Sequence, residues 1–95
     1  MKGKKSERDA YVNRVAAIRT WLQELGRALL QHSVSVEIDE ELQGLIRTSH
    51  TVNIRVDSAQ EAVVLSKEEF WDEYELFERS AVPKLQAAVE RLAGD

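Results

Sequence analysis

The chain has 95 residues, of which 43% are hydrophobic, and a formal net charge of −4. This composition is typical of one folded domain spanning residues 1–95, and the absence of cysteine excludes disulfides and cysteine-ligated metals and favours the cytoplasm. The sequence has neither the run of about 18 apolar residues that a membrane span needs nor the apolar core of a secretory signal.

Charge is distributed unevenly along the chain. Residues 1–31 carry seven Lys and Arg against three Asp and Glu, residues 32–65 two against six, and residues 66–95 four against eight. An acidic chain is a poor candidate for general nucleic-acid binding, which depends on many cations that contact phosphates. The exception is a small basic start, which is otherwise expected to be a solvated terminus, frayed over residues 1–6: Lys2, Lys4, Lys5 and Arg8.

A long first helix is predicted from about residue 7 to 32. Its large apolar residues alternate spacings of four and three, which places them on one helical stripe: Tyr11, Val15, Ile18, Leu22, Leu25 and Leu29. Trp21 flanks this stripe. Gly26 lies inside the helix at a cost of about 1 kcal/mol relative to Ala, which close packing could outweigh.

The middle of the chain predicts β-structure. "VSVEI" at 34–38 alternates apolar and polar residues as a half-buried strand does. Asp39 can cap a short following helix with Leu42, Leu45 and Ile46 as its apolar positions, although a strand beginning near residue 45 fits the same alternation. "TVNIRV" at 51–56 and "EAVVLS" at 61–66, joined by "DSAQ", predict an antiparallel hairpin.

A second long helix is predicted to follow the hairpin directly. Ser66 and Glu69 have the spacing of a capping box, and one apolar stripe continues to the end of the chain: Phe70, Tyr74, Phe77, Ala81, Leu85, Ala88 and Leu92. Pro83 predicts a kink, or a break near residues 80–83. The fold class is therefore α+β, with two long helices and a small antiparallel sheet of about three strands.

The lengths of these elements bear on the oligomeric state. Helices of about 25 residues are roughly 37 Å long, whereas strands of five or six residues cover about 17–20 Å. We expect the apolar stripes to extend beyond the sheet and a second copy to cover them in a homodimer. The alternative is a monomer in which the two helices bury each other.

The stretch "SKEEFWDEYELFERS", residues 66–80, places four of the six aromatic residues of the chain among six carboxylates. Trp71 lies beside the main stripe, and it could form a surface for a basic protein partner together with three acids: Asp72, Glu75 and Glu78. Packing of Trp71 at the edge of the sheet or dimer is the alternative. We interpret the chain as a non-enzymatic interaction module on this basis.

A second hypothesis is a ligand-binding domain or a carboxylate-based enzyme, with a cavity between helices and sheet lined by Trp21, Tyr74 and His50. The two histidines lack the spacing of a helical metal site. Carboxylates share helix faces at Glu69 with Glu73 and at Glu68 with Asp72, which is only a weak signal for a cation. No cofactor is predicted.

The segment "TVNIRVDSAQEAVVLSKEEFWDEYE" resembles the hairpin-then-helix passage of the Phd/YefM antitoxin family, in which a strand runs into an acidic helix. It covers about a quarter of the chain. The long amphipathic helix ahead of it departs from the family pattern. The resemblance implies a small dimer that neutralises a partner through an acidic helical segment and associates with DNA.

Overall fold

The computed structural model of the chain describes residues 2–39 and 49–93, with side chains from residue 8 onward. The elements are helix α1 (Lys2–Leu30), strands β1 (Ser35–Ile38), β2 (Ser49–Val56) and β3 (Ala59–Ser66), helix α2 (Lys67–Trp71), a 3₁₀ turn (Glu73–Glu75), a π-helical turn (Phe77–Ala81) and helix α3 (Val82–Ala93). This confirms the α+β class with its long N-terminal helix and antiparallel sheet of three strands. The helix predicted after Asp39 and the alternative strand from residue 45 fall mostly in 40–48, outside the described residues.

The sheet has the strand order β1-β2-β3, and both pairs are antiparallel. Val36 lies opposite Ile54, and Val52 lies opposite Val63, so one face of the sheet is apolar and buried. The connection between β2 and β3 is shorter than the predicted "DSAQ", because Ala59 already belongs to β3. A tight connection is possible because Asp57 adopts a left-handed backbone with φ of 54°, which Asp tolerates better than most residues.

Helices α1 and α3 pack against each other and against the buried face of the sheet, α1 over β1 and α3 over β3. The core combines both predicted stripes with the strands, and each fully buried large apolar side chain stabilises the fold by about 1.5–3 kcal/mol. Its fully enclosed helix residues, each no more than 2% exposed, are Tyr11, Ile18, Leu22, Phe70, Ala81, Leu85, Ala88 and Val89.

Helix α1 differs from the prediction at both ends. It begins at Lys2 instead of near residue 7, so the basic start is helical. It ends at Leu30, and Gln31 follows with φ of 61° and an N–H that donates to Arg27 O at 3.0 Å. A left-handed residue with this bond is a common helix terminator.

The apolar stripes of both helices are covered within one chain along most of their length. Leu29 is the exception in the first stripe, with 42% of its surface exposed. Within the described residues the stripes are therefore mostly covered without a second copy, and Leu29 and Tyr74 are the stripe residues that stay exposed. Uncovered stripes were the reason for predicting a homodimer, so that reason is weakened. The oligomeric state stays a prediction.

Gly26 allows α1 to approach the chain just before β1. A Cβ atom at this position would lie 2.6 Å from Val34 Cγ1, which is closer than real Cβ contacts. We expect Gly26→Ala to lower the free energy of unfolding by about 1–3 kcal/mol, although Ala is the better helix former by about 1 kcal/mol. Urea denaturation measures this difference.

The matched control for this prediction is the same substitution in a Val34→Ala background. Removing the Val34 methyl groups makes room for the new Cβ atom, so Gly26→Ala should there be neutral or stabilising. A stabilising Gly26→Ala in the otherwise unchanged protein would show that the close approach does not constrain the fold.

The C-terminal helical region bends by 27°, which confirms the predicted kink. Pro83 has no N–H to donate, and the backbone widens before it into a π-helical turn in which Val82 N–H donates to Phe77 O. A second interruption was not predicted. Helix α2 ends at Trp71, and Asp72 follows in a left-handed conformation with φ of 60°.

Candidate functional site

A surface turn at the end of α2 carries the most unusual backbone of the described chain. Asp72, Tyr74 and Glu75 all have left-handed φ angles, of 60°, 54° and 62°. We call residues 72–75 the acidic turn. Residues other than glycine cost about 1 kcal/mol or more each in this region, so the surrounding contacts must hold the acidic turn in place.

The predicted capping box fixes the beginning of α2. Ser66 N–H donates to Glu69 Oε1 at 2.8 Å, and Glu69 N–H donates to Ser66 Oγ at 3.1 Å. The Glu69 carboxylate also accepts hydrogen bonds from Ser80 Oγ and from Lys84 Nζ, the latter at 2.9 Å. These bonds tie α2 to the π-helical turn and to α3, on the far side of the acidic turn.

The electrostatics of Glu69 follow from this environment. Burial raises the pKa of its carboxyl group, but the hydrogen bonds from Ser80, Lys84 and Ser66 and the charge of Lys84 outweigh burial and lower the pKa to about 2. Glu69 is therefore an ionised anchor. It is not available as a cation ligand paired with Glu73.

Hydrogen bonds within the acidic turn hold its shape. Asp72 Oδ1 accepts from Phe77 N–H at 2.9 Å, and Asp72 O accepts from Glu75 N–H at 3.2 Å. Asp72 N–H donates to Glu69 O at 3.2 Å. Asp72 is thus bonded both to α2 before it and to Glu75 and Phe77 after it, which explains why an Asp occupies the first left-handed position.

Arg14 of α1 contacts the residues that flank the acidic turn. Its Nε–H donates to Phe70 O at 2.6 Å, and its guanidinium carbon lies 4.7 Å from the centre of the Phe77 ring. Burial lowers the pKa of Arg14, and the nearby negative charge of Asp72 partly offsets that effect. Arg14 therefore contacts the chain on both sides of the acidic turn.

The acidic turn exposes one large aromatic side chain. Tyr74 is 83% exposed, so its predicted place in the core is wrong. The left-handed residues rotate Tyr74 out of the helical stripe, while Phe70 before the turn stays fully buried. The carboxylates of Glu73 and Glu75 are exposed beside it, and so is Glu78 in the next turn.

The structure separates the predicted partner-binding residues into two groups. Glu75 and Glu78 are exposed, whereas Trp71 and Asp72 are half-buried. The Trp71 ring packs edge-on against Phe70 at 5.0 Å and lies 6.5 Å from Tyr11. Trp71 thus supports the acidic turn more than it forms its surface.

The residues predicted to line a ligand cavity are dispersed. His50 is 1% exposed and stacks on the Phe70 ring at 3.9 Å, Trp21 packs edge-on against Phe77 at 5.8 Å, and Tyr74 is on the surface. His50 belongs instead to a buried polar cluster. Within the described part of the chain, these three residues therefore do not line one shared cavity.

The buried polar cluster is centred on Asp39, whose φ is 57°. Asp39 Oδ2 accepts from Tyr11 Oη at 2.7 Å and lies 2.8 Å from His50 Nδ1, and Asp39 Oδ1 accepts from Thr51 N–H at 3.1 Å. The cluster joins α1 to the end of β1 and the start of β2. Its enclosure points to a structural role.

Within residues 2–39 and 49–93, no helix combines the length and apolarity needed to cross a bilayer. The same residues contain no group of three or more His, Asp and Glu side chains arranged to hold a metal ion. Comparison with protein-family models, with curated proteins and with solved structures finds no match to this chain. The resemblance to the Phd/YefM passage covers the hairpin and α2, and α2 ends after five residues at Trp71.

Proposed function

We propose that the protein is a small non-enzymatic interaction module that binds a basic protein partner through the acidic turn. The observation that carries this proposal is the 83% exposure of Tyr74 on a turn of three left-handed residues. Backbone strain of this kind is concentrated at functional sites, where the surrounding structure maintains it.

The chemistry of the acidic turn favours a basic partner. From Glu68 to Glu78 the sequence contains six carboxylates and no Lys or Arg. Glu69 is neutralised by Lys84, but the exposed acids beside Tyr74 are available to steer a cationic surface towards it. Tyrosine is enriched at binding hot spots because it offers a large contact area and a hydroxyl group with little rotational freedom to lose.

The support beneath the acidic turn would also favour binding. Asp72 bonds to Phe77 N–H, and Arg14 holds Phe70 O from the opposite side. A surface that is already ordered pays less conformational entropy when it binds.

Cytoplasmic location and a partner-neutralising role of the antitoxin kind belong to the same proposal. Both depend on features of the sequence, the absence of cysteine and the acidic helix after a hairpin. A homodimer has weaker support, because the apolar stripes are already covered within one chain.

Affinity capture from the native cell tests the proposed function with a matched pair of variants. The variant Tyr74→Ser/Glu75→Gln changes the acidic turn, and Val64→Ser/Glu90→Gln changes an exposed apolar residue and an exposed acid elsewhere. We expect a basic protein whose recovery falls about thirtyfold with the first variant, as a hot-spot loss of about 2 kcal/mol requires. The second variant should recover it unchanged.

The purified partner should then bind the intact protein less tightly as the salt concentration rises, because exposed charges are screened. If the two variants recover the same proteins in the same amounts, the acidic turn is not the binding surface.

A further inference from the structure

The outer edge of β1 offers backbone groups to a further strand. Asp39 N–H donates to Thr51 O, and two residues earlier in the same ladder Glu37 lies opposite Asn53. Close hydrogen-bonded pairs alternate along an antiparallel ladder, so Val36 and Ile38 direct their N–H and C=O groups away from β2. An edge of this kind is where extended peptides add to a sheet.

Among the residues that the structure describes, Arg19 of α1 lies against this edge. Arg19 Nε–H donates to Val36 O at 3.1 Å. The opposite edge of the sheet is covered in a similar way, since Lys84 Nζ lies 3.3 Å from Val64 O. Lys84 is also paired with Glu69 at 2.9 Å, whereas the described residues give Arg19 no carboxylate partner.

A groove runs between α1 and the outer edge of β1, and Arg19 divides it into two parts. One part, of about 280 Å³, is lined by Val12, Val15 and Ile38 as well as Arg19. The other part, of about 460 Å³, is lined by Gln23 and Val36 as well as Arg19. We call these two parts together the edge groove. Its Ile38 end is the more apolar of the two, and Glu37 lines both parts.

We propose that the edge groove binds an extended peptide of a partner protein as a fourth strand. A carboxylate of the peptide pairs with Arg19, and an apolar residue two positions away occupies the part beside Val15. The spacing of the two peptide residues matches that of their contacts on α1. Val15 and Arg19 are separated by about 6 Å along the helix, and alternate residues of a strand are separated by about 6.6 Å. The peptide N–H that replaces Arg19 at Val36 O keeps that carbonyl satisfied.

A second copy of the chain is disfavoured at this edge in one of the registers open to it. Pairing Val36 of one copy with Ile38 of another would place the two Glu37 side chains directly opposite each other, and like charges in that position are destabilising. A peptide with its own carboxylate at the Arg19 end avoids this repulsion. The edge groove is also separate from the acidic turn, so each proposal can fail without the other.

A displayed library of random nine-residue peptides, selected on the full chain, tests this inference. We expect enriched peptides to carry an acidic and an apolar residue at positions i and i+2. In the complex, amide hydrogen exchange at Val36 and Ile38 should slow by at least tenfold. Peptides N-methylated at the amides facing β1 should lose binding, and those methylated at the intervening amides should retain it.

The Arg19→Ala variant separates the two parts of the proposal. Changing the acidic residue of the peptide to its amide should weaken binding to the intact protein about tenfold. The same change should weaken binding to the Arg19→Ala variant less than about twofold, because the partner of the acid is already absent. Arg27→Ala, an exposed arginine of the same helix, should behave as the intact protein does. The proposal is overturned if no selected peptide protects Val36 and Ile38, if protection falls at Ala62 and Val64 of β3, or if Arg19→Ala associates with itself.

Discussion

Replacing Asp39 by Ala is expected to lower the free energy of unfolding by about 3–5 kcal/mol, a large share of the stability of a small domain. The substitution leaves Tyr11 Oη, His50 Nδ1 and Thr51 N–H without their shared acceptor. Each unsatisfied buried donor costs about 1–3 kcal/mol. Ala also tolerates the left-handed backbone at this position less well than Asp. Guanidinium denaturation, followed by circular dichroism, measures the difference.

Two further variants distinguish the hydrogen bonds from the backbone contribution. Asp39→Asn keeps one acceptor oxygen and the tolerance for a left-handed backbone, so its effect should be clearly smaller than that of Asp39→Ala. Tyr11→Phe removes one donor and should cost about 1 kcal/mol. A loss below about 1 kcal/mol for Asp39→Ala would show that the polar cluster contributes little to the fold.

The role of Asp39 could not be predicted from the sequence. Its position after a strand predicted a helix cap, but the backbone N–H that donates to its side chain belongs to Thr51 of β2, 12 residues away. The other two partners, Tyr11 and His50, are 28 and 11 residues away in the chain. Contacts of that sequence separation arise only when α1 packs across β1 and β2, which periodicity does not reveal.

Elements set by short-range rules were predicted well. The Ser66 and Glu69 capping box involves residues three apart, and both of its hydrogen bonds form. The β2–β3 hairpin was predicted from the alternation of apolar residues, although its connection is two residues shorter than predicted. The helical stripe from Tyr11 to Leu22 turns towards the core because a helix repeats every 3.6 residues. Each of these features depends on neighbours in the sequence.

The prediction of one continuous helical stripe was wrong at the acidic turn, for a physical reason. Phe70, Tyr74 and Phe77 have the spacing of one helical face, and residue type alone does not show that Tyr74 will leave it. The break is contacted by Arg14, which donates to Phe70 O from 56 residues away. Asp72 was the available signal, because Asp accepts the left-handed conformation more readily than most residues. The predicted and the proposed partner-binding surfaces lie in the same segment, but the predicted surface is centred on Trp71 and the proposed one on Tyr74.

Replacing Glu69 by Gln is expected to remove a stabilisation of at most about 3 kcal/mol at neutral pH, since each unit of pKa shift corresponds to 1.36 kcal/mol. The pKa of Glu69 is about 2 in the folded state and 4.5 ordinarily. Between pH 2 and pH 4.5, the folded state therefore binds fewer protons than the unfolded state. The stabilisation is therefore complete above pH 4.5 and is lost as the pH falls towards 2. Urea denaturation at a series of pH values measures the difference between the intact protein and the variant.

The pH dependence isolates Glu69 from the other carboxylates, because those are present in both proteins. The difference in unfolding free energy should be largest above pH 4.5 and should shrink as the pH approaches 2. Glu68→Gln, an exposed neighbour in the same turn of α2, should retain the acid dependence of the intact protein. Parallel profiles for the intact protein and Glu69→Gln across this range would mean that the bonds from Ser80 and Lys84 do not stabilise the ionised carboxylate. The anchor that holds α2 to α3 around the acidic turn would then be ordinary packing, and Ser80→Ala would leave the acid dependence unchanged as well.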